Sequence, residues 1–249
     1  MGTKGAWYAS SGSKLRELYT ILHLPYTSMV LSYILIGADI SPTIYPDRVV
    51  FTLLAYFLGL GLSAHALNEL HATHWVEALR ERELAILFAL PLVGAVVIGV
   101  YGMVELEMES GSVAPPLTLM VFMFLEVFFL IAYNTNAFGG AFHSDVAFAL
   151  SWAALPTLIS YYVNSLMISV GAVLVAMAMA ATAGIEINLS RWCKEFRRKN
   201  SLTEIWFADG SRQTITTIQL LAKPERALKL IVVTVDLVAL GLIAYRLLS

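Results

Sequence analysis

Residues 84–104 read LAILFALPLVGAVVIGVYGMV, with no charged residue among them. A bilayer core of about 30 Å is crossed by about 20 mostly apolar residues in helical form, so this stretch has the length and character of a transmembrane helix. Six further stretches of similar kind flank it, at 24–39, 49–68, 113–133, 146–163, 166–188 and 228–248. The breaks between them carry turn chemistry: 39–48 holds Pro42 and Pro46, 105–112 holds three glutamates, and Asn164 with Ser165 makes a tight turn. Composition points the same way. The chain has 249 residues, 58% hydrophobic and 14% charged, with a mean hydropathy of +0.73, which is more apolar surface than a soluble domain of this size hides. The expected fold is all-α, a polytopic membrane bundle of about seven transmembrane helices.

Alternate crossings place the N-terminus, the 69–83 loop, the 134–145 loop and the 189–227 segment on one side. Of the 16 Lys and Arg residues, 14 fall there, Arg48 and Arg246 being the exceptions. The positive-inside rule then makes that side cytoplasmic, in a cell membrane, with the C-terminus outside. All five histidines lie at or near the same face. The net charge of −2 suggests neither a nucleic-acid partner nor an acidic tail. One cysteine, Cys193, excludes an internal disulfide and reads as a cytosolic free thiol. The apolar run that begins near Leu24 lacks a small-residue cleavage pattern, so no removable signal peptide is read.

Residues 190–227 differ in kind. A basic run is followed by two β-prone stretches around Asp209-Gly210, which predicts a small cytoplasmic hairpin. Three units result: a bundle over 1–189, the basic segment and hairpin over 190–227, and a last helix over 228–249. The middle unit is either a solvated lid or linker, or an element that docks a partner subunit or gates a substrate.

Two polar clusters stand at the cytoplasmic ends of helices. In the first, a turn of about 100° per residue puts His65, Asn68 and Glu69 on one face, with His71 and His74 elsewhere. Small residues at 59, 61, 63 and 64 allow a neighbouring helix to approach closely. His65 and Glu69 form either a satisfied interhelical pair or a functional site, because ionisable groups at membrane depth are costly. The second cluster runs from Tyr133 and Asn134 to His143, Ser144 and Asp145, where Ser144 or Asp145 can simply cap the next helix. Glu126 lies two turns inside an apolar helix and should face a polar interior or carry a proton, and Asp236 makes a weaker case of the same type. No HExxH, CxxC, Walker or nucleophile-elbow pattern is present.

His23-Leu-Pro-Tyr-Thr, the stretch Ser63-Ala-His-Ala-Leu-Asn-Glu-Leu, and Ala132-Tyr-Asn through Trp152-Ala-Ala-Leu-Pro to Tyr161-Tyr-Val together resemble the UbiA superfamily of intramembrane prenyltransferases. The likeness covers roughly residues 20–190. It implies a helix bundle around a central cavity, where two acidic loops hold Mg²⁺ on an isoprenyl diphosphate and the metal neutralises the leaving group. Carried over, it makes Asn68, Glu69, Tyr133, Asn134 and Asp145 the catalytic set, with Glu69 and Asp145 on Mg²⁺. His65, Arg80, Arg82, Glu126 and His143 become substrate contacts, Arg80 or Arg82 closing over the diphosphate. The substrate is a membrane lipid or isoprenoid. The sequence departs from the family pattern at Ala72, where an aspartate is expected, and only about 60 residues separate the two loops, room for two spans rather than four. Three readings follow: a divergent prenyltransferase, an inactive scaffold of the same fold that binds a lipid, quinone or partner subunit, and a metal or proton-handling site of His65, Glu69, Glu126 and His143.

Overall fold

The computed structural model describes residues 8–9, 12–73, 76–199 and 202–248. A short helix α1 (Lys14–Ile21) is bent by 40° against α2 (Leu24–Asp39). Five long helices follow: α3 (Pro46–His71), α4 (Glu81–Ser110), α5 (Ala114–Asn134), α6 (Asp145–Ser165) and α7 (Val170–Lys199). A two-stranded hairpin, β1 (Leu202–Trp206) and β2 (Arg212–Thr216), then leads into α8 (Thr217–Leu248). Six of these helices are long and apolar enough to cross a membrane, and the bent pair α1–α2 makes up to seven.

Local sequence explains most boundaries. Pro46 starts α3 at a position where its missing N–H costs nothing, and Ser144 caps α6 by accepting from Ala147 N at 3.2 Å. Gly111, with φ of 61°, closes α4 in the left-handed conformation that glycine adopts most readily. In the hairpin Leu202 pairs with Thr216 and Trp206 with Arg212, while Gly210 supplies the positive φ of the turn. Asp209 accepts from Ser211 N at 2.9 Å, and the donors of Ser211 hold its carboxyl below the usual aspartate range.

Two expected boundaries move. The basic run after 189 remains helical to Lys199, because Leu189, Cys193 and Phe196 continue the apolar spacing of α7 and pack on Leu221 and Leu228. For the same reason α8 starts at Thr217 rather than 228. The segment expected over 190–227 is therefore two helix ends around a hairpin of fifteen residues, 202–216.

α2 lies at the centre, packed on α6 and α8, with α3 beside it, and α4 and α5 close the far flank. Only 6% of the most apolar window of α4 is buried, and Leu90, Val93 and Val97 point outward from it. Such a surface suits hydrocarbon rather than water. Close approach is set by glycine: a Cβ on Gly37 would lie 2.2 Å from the carbonyl oxygen of Thr157, so α2 and α6 touch backbone to backbone, and a Cβ on Gly61 would lie 2.9 Å from Thr27. Ser63, a buried member of the small-residue set, donates to Phe88 O at 2.8 Å.

The two ends of the bundle differ in character. At one, Arg48 pairs with Glu109 and donates to Val163 O at 2.6 Å, and Arg246 donates to Asp39 O at 2.5 Å and Pro42 O at 2.7 Å. At the other, buried Glu17 accepts from Glu77 N, Ala78 N and Leu79 N at 3.1, 2.6 and 3.1 Å, and Lys14 pairs with Glu83 at 2.5 Å. The second end carries most of the basic residues and is called the basic end below.

Candidate functional site

The basic end gathers the residues that the sequence singles out. Three π-helical stretches, Phe57–Ala64, Glu69–Thr73 and Leu150–Ala154, widen the helices near it. Each inserts extra residues per turn and rotates the side chains that follow, a feature common at functional sites. His65 and Glu69 are buried, Asn68 is half-buried, His71 is exposed, and His74 lies outside the described residues.

A continuous run of rings joins the two clusters. His23 lies 4.1 Å from His65, His65 is 5.1 Å from Trp152, and Trp152 stacks on Phe148 at 5.2 Å. Phe148 meets Tyr133 at 5.8 Å, and Tyr133 stacks on His143 at 4.5 Å. From the N-terminal side Tyr8 sets its ring edge-on to His23 at 5.4 Å and to Tyr26 at 6.2 Å. The ends of α3 and α6 thus share one end of the bundle, and the interval between them holds packed aromatic side chains.

The expected metal ligands are engaged by the chain itself. Glu69 Oε1 accepts from Val76 N at 2.8 Å, which fixes the loop after α3. Asp145 Oδ1 lies 2.7 Å from Arg191 Nη1. Among the described residues, no group of three or more His, Cys, Asp or Glu is placed to hold a metal. Mg²⁺ needs several hard oxygen donors, and two carboxylates already committed elsewhere do not fit it. Asn134 turns back on its own helix, donating to Leu130 O at 2.8 Å, and His143 Nδ1 faces Tyr133 O at 2.9 Å. Arg80 and Arg82 are exposed at the start of α4, where Arg80 N is capped by Glu83 at 2.9 Å, rather than folded over the cluster.

Sequence reasoning passed over one face of α7. Glu186, Ser190 and Lys194, spaced by four, turn towards Tyr26, whose hydroxyl hydrogen-bonds to Ser190 and lies near Glu186. The Lys194 ammonium lies 5.4 Å from the centre of the Tyr26 ring. Buried Glu186 and half-buried Lys194 attract each other across this face, and Arg191 adds a donor to Tyr133 Oη at 3.1 Å. An ionisable residue inside an apolar helix was the available signal, the same that marks Glu126.

Open space lies elsewhere. A half-open cavity of about 340 Å³ is lined by α3, α4, α5 and α6, in the part of the bundle away from the basic end. Glu126 of α5 lines it, with Oε1 accepting from Tyr56 Oη at 2.6 Å; Oε2 is shielded from solvent and meets no hydrogen-bond partner. Around Glu126 the walls are apolar, from Leu60, Leu92, Met123 and Leu130, while Asp47, Arg48, Glu105 and Glu109 also line the cavity. The glycine at 59 leaves room on the α3 wall, its missing Cβ lying 3.7 Å from Ala95. Sequence inspection finds Glu126; its donor Tyr56, 70 residues away, emerges only from the packing.

Comparison of the chain with protein-family models, curated proteins and solved structures gave no match. The functional reading therefore rests on these residues.

Proposed function

We propose that this chain is a multi-pass membrane protein that draws a lipophilic molecule from the bilayer into the cavity beside Glu126, on a bundle whose motifs resemble the UbiA superfamily, without magnesium-dependent prenyl transfer. The observation that carries this reading is the location of space. A cavity of about 340 Å³ falls within the range of small-molecule sites, whereas the interval between Glu69 and Asp145 holds stacked rings and carboxylates with partners of their own. A cavity whose walls around the Tyr56–Glu126 pair are apolar, with exposed charged residues elsewhere in its lining, suits a ligand that is largely apolar and anchored at Glu126. The charge asymmetry along the sequence supports a cytoplasmic N-terminus and an outer C-terminus.

The test is mass spectrometry of organic extracts from the purified full chain, paired with an assay of pyrophosphate release from geranylgeranyl diphosphate. The expected result is a co-purifying lipophilic species that is lost when Ala95→Phe fills the cavity, and no release of pyrophosphate. Mg²⁺-dependent release that disappears in Asp145→Asn would replace this reading with the transferase.

A further inference from the structure

We infer that the ligand of this cavity is a lipophilic cation, an apolar body bearing a quaternary or protonated amine, with Glu126 as its counter-ion. The inference rests on the binding reading above and names the class of molecule that the same cavity takes.

Charge gives the first argument. Four carboxyl side chains line the cavity, Asp47, Glu105, Glu109 and Glu126, against the single guanidinium of Arg48. That guanidinium is already engaged: it pairs with Glu109, donates to Val163 O and sits 4.2 Å from the centre of the Tyr45 ring. Asp47, Glu105 and Glu109 are exposed, so solvent screens their field, whereas Glu126 Oε2 is shielded and its field is not. An anionic ligand would meet repulsion on entry, and a cation would not.

Direction gives the second. Tyr56 has one hydroxyl proton and spends it on Oε1, so Oε2 is left as an acceptor without a donor. In apolar surroundings such a carboxyl either carries a proton or, as a carboxylate, is costly without a partner, and a cation favours the ionised form by removing that cost. An ammonium supplies both charge and, where protonated, the missing N–H.

The third concerns the rest of the ligand. Phe51 and Tyr101, tilted against each other at 5.3 Å, line the same cavity as partly exposed rings, and the negative face of an aromatic ring attracts a quaternary ammonium; the Tyr45 ring is already taken by Arg48. The remaining walls are hydrocarbon. A bare divalent ion would keep its water shell and gain nothing from such walls.

The experiment uses two ions of matched shape and opposite charge, tetraphenylphosphonium and tetraphenylborate, with the detergent-solubilised full chain and equilibrium binding as the readout. Tetraphenylphosphonium should bind saturably and tetraphenylborate should not. Glu126→Gln keeps the acceptor for Tyr56 but presents an amide N–H₂ in place of Oε2, and it should weaken tetraphenylphosphonium by about tenfold or more. Tyr56→Phe, with a thermal melt to verify folding, should weaken it less. Equal affinity in wild type and Glu126→Gln would overturn the proposal. So would tetraphenylborate binding as tightly as tetraphenylphosphonium, although a site emptied by Ala95→Phe would then still support an apolar binding cavity. Binding of neither ion, together with a wild-type extract free of any lipophilic species, would remove the cavity reading as well.

Discussion

Arg191 forks between two residues of the second cluster: Nη1 lies 2.7 Å from Asp145 Oδ1, and Nη2 donates to Tyr133 Oη at 3.1 Å. The carboxylate that the sequence marks as a magnesium ligand thus has a resident cation, carried by the helix packed against its own.

This pair makes the response to magnesium a direct readout. Both side chains are more than one-third exposed, 37% for Arg191 and 36% for Asp145, so Asp145→Asn should cost no more than about 1 kcal/mol after solvent screening. At constant ionic strength, MgCl₂ should leave the melting temperature of the wild type unchanged. A rise of several degrees would mean that the metal displaces Arg191 and that the cluster is a magnesium site.

Glu17 organises the loop after α3 through three backbone N–H groups. Glu17→Gln keeps the shape but removes the charge that strengthens all three bonds, and should cost about 2 kcal/mol. Hydrogen-exchange mass spectrometry should show faster exchange at residues 77–79, with α6 and α7 unaffected. Unchanged protection there would make the carboxylate dispensable.

Gly37→Ala places a methyl group 2.2 Å from the carbonyl oxygen of Thr157. Neither backbone yields easily, so the loss should reach about 3 kcal/mol. Gly241 has nothing within 4 Å of its missing Cβ, and Gly241→Ala should be neutral or stabilising by up to about 1 kcal/mol. Thermal melts of the two variants in one detergent compare them directly.

Ser32 Oγ donates to Asp236 Oδ1 at 2.7 Å, joining α2 to α8. Ser32→Ala should cost about 1 kcal/mol, the usual scale of such bonds between membrane helices. A loss above about 3 kcal/mol would show that Asp236 depends on this hydroxyl alone.

Much of the bundle is legible in the sequence, since a span is a local property of about 20 residues and its apolar signal needs no partner. The hairpin is legible for a similar reason: Asp209-Gly210 encodes its turn locally. The extension of α7 to Lys199 is hidden, because charge along Arg191–Lys199 obscures an apolar stripe that becomes meaningful only against Leu221 and Leu228. The candidate sites divide likewise. Glu126 stands out by its setting, but the cavity around it is a gap left by four helices and has no sequence signature. Glu69 and Asp145 are conspicuous as carboxylates, while their engagement by Val76 N and Arg191 is a matter of tertiary geometry.

The two hydrogen bonds from Arg246 to the carbonyls of Asp39 and Pro42 span 207 and 204 residues. They clasp α8 to the loop after α2. During synthesis that loop must wait, unsecured, until α8 has left the ribosome. Maturation is then a late, collective locking step, and a nascent chain stalled before α8 should still be open to proteases at its earliest turn.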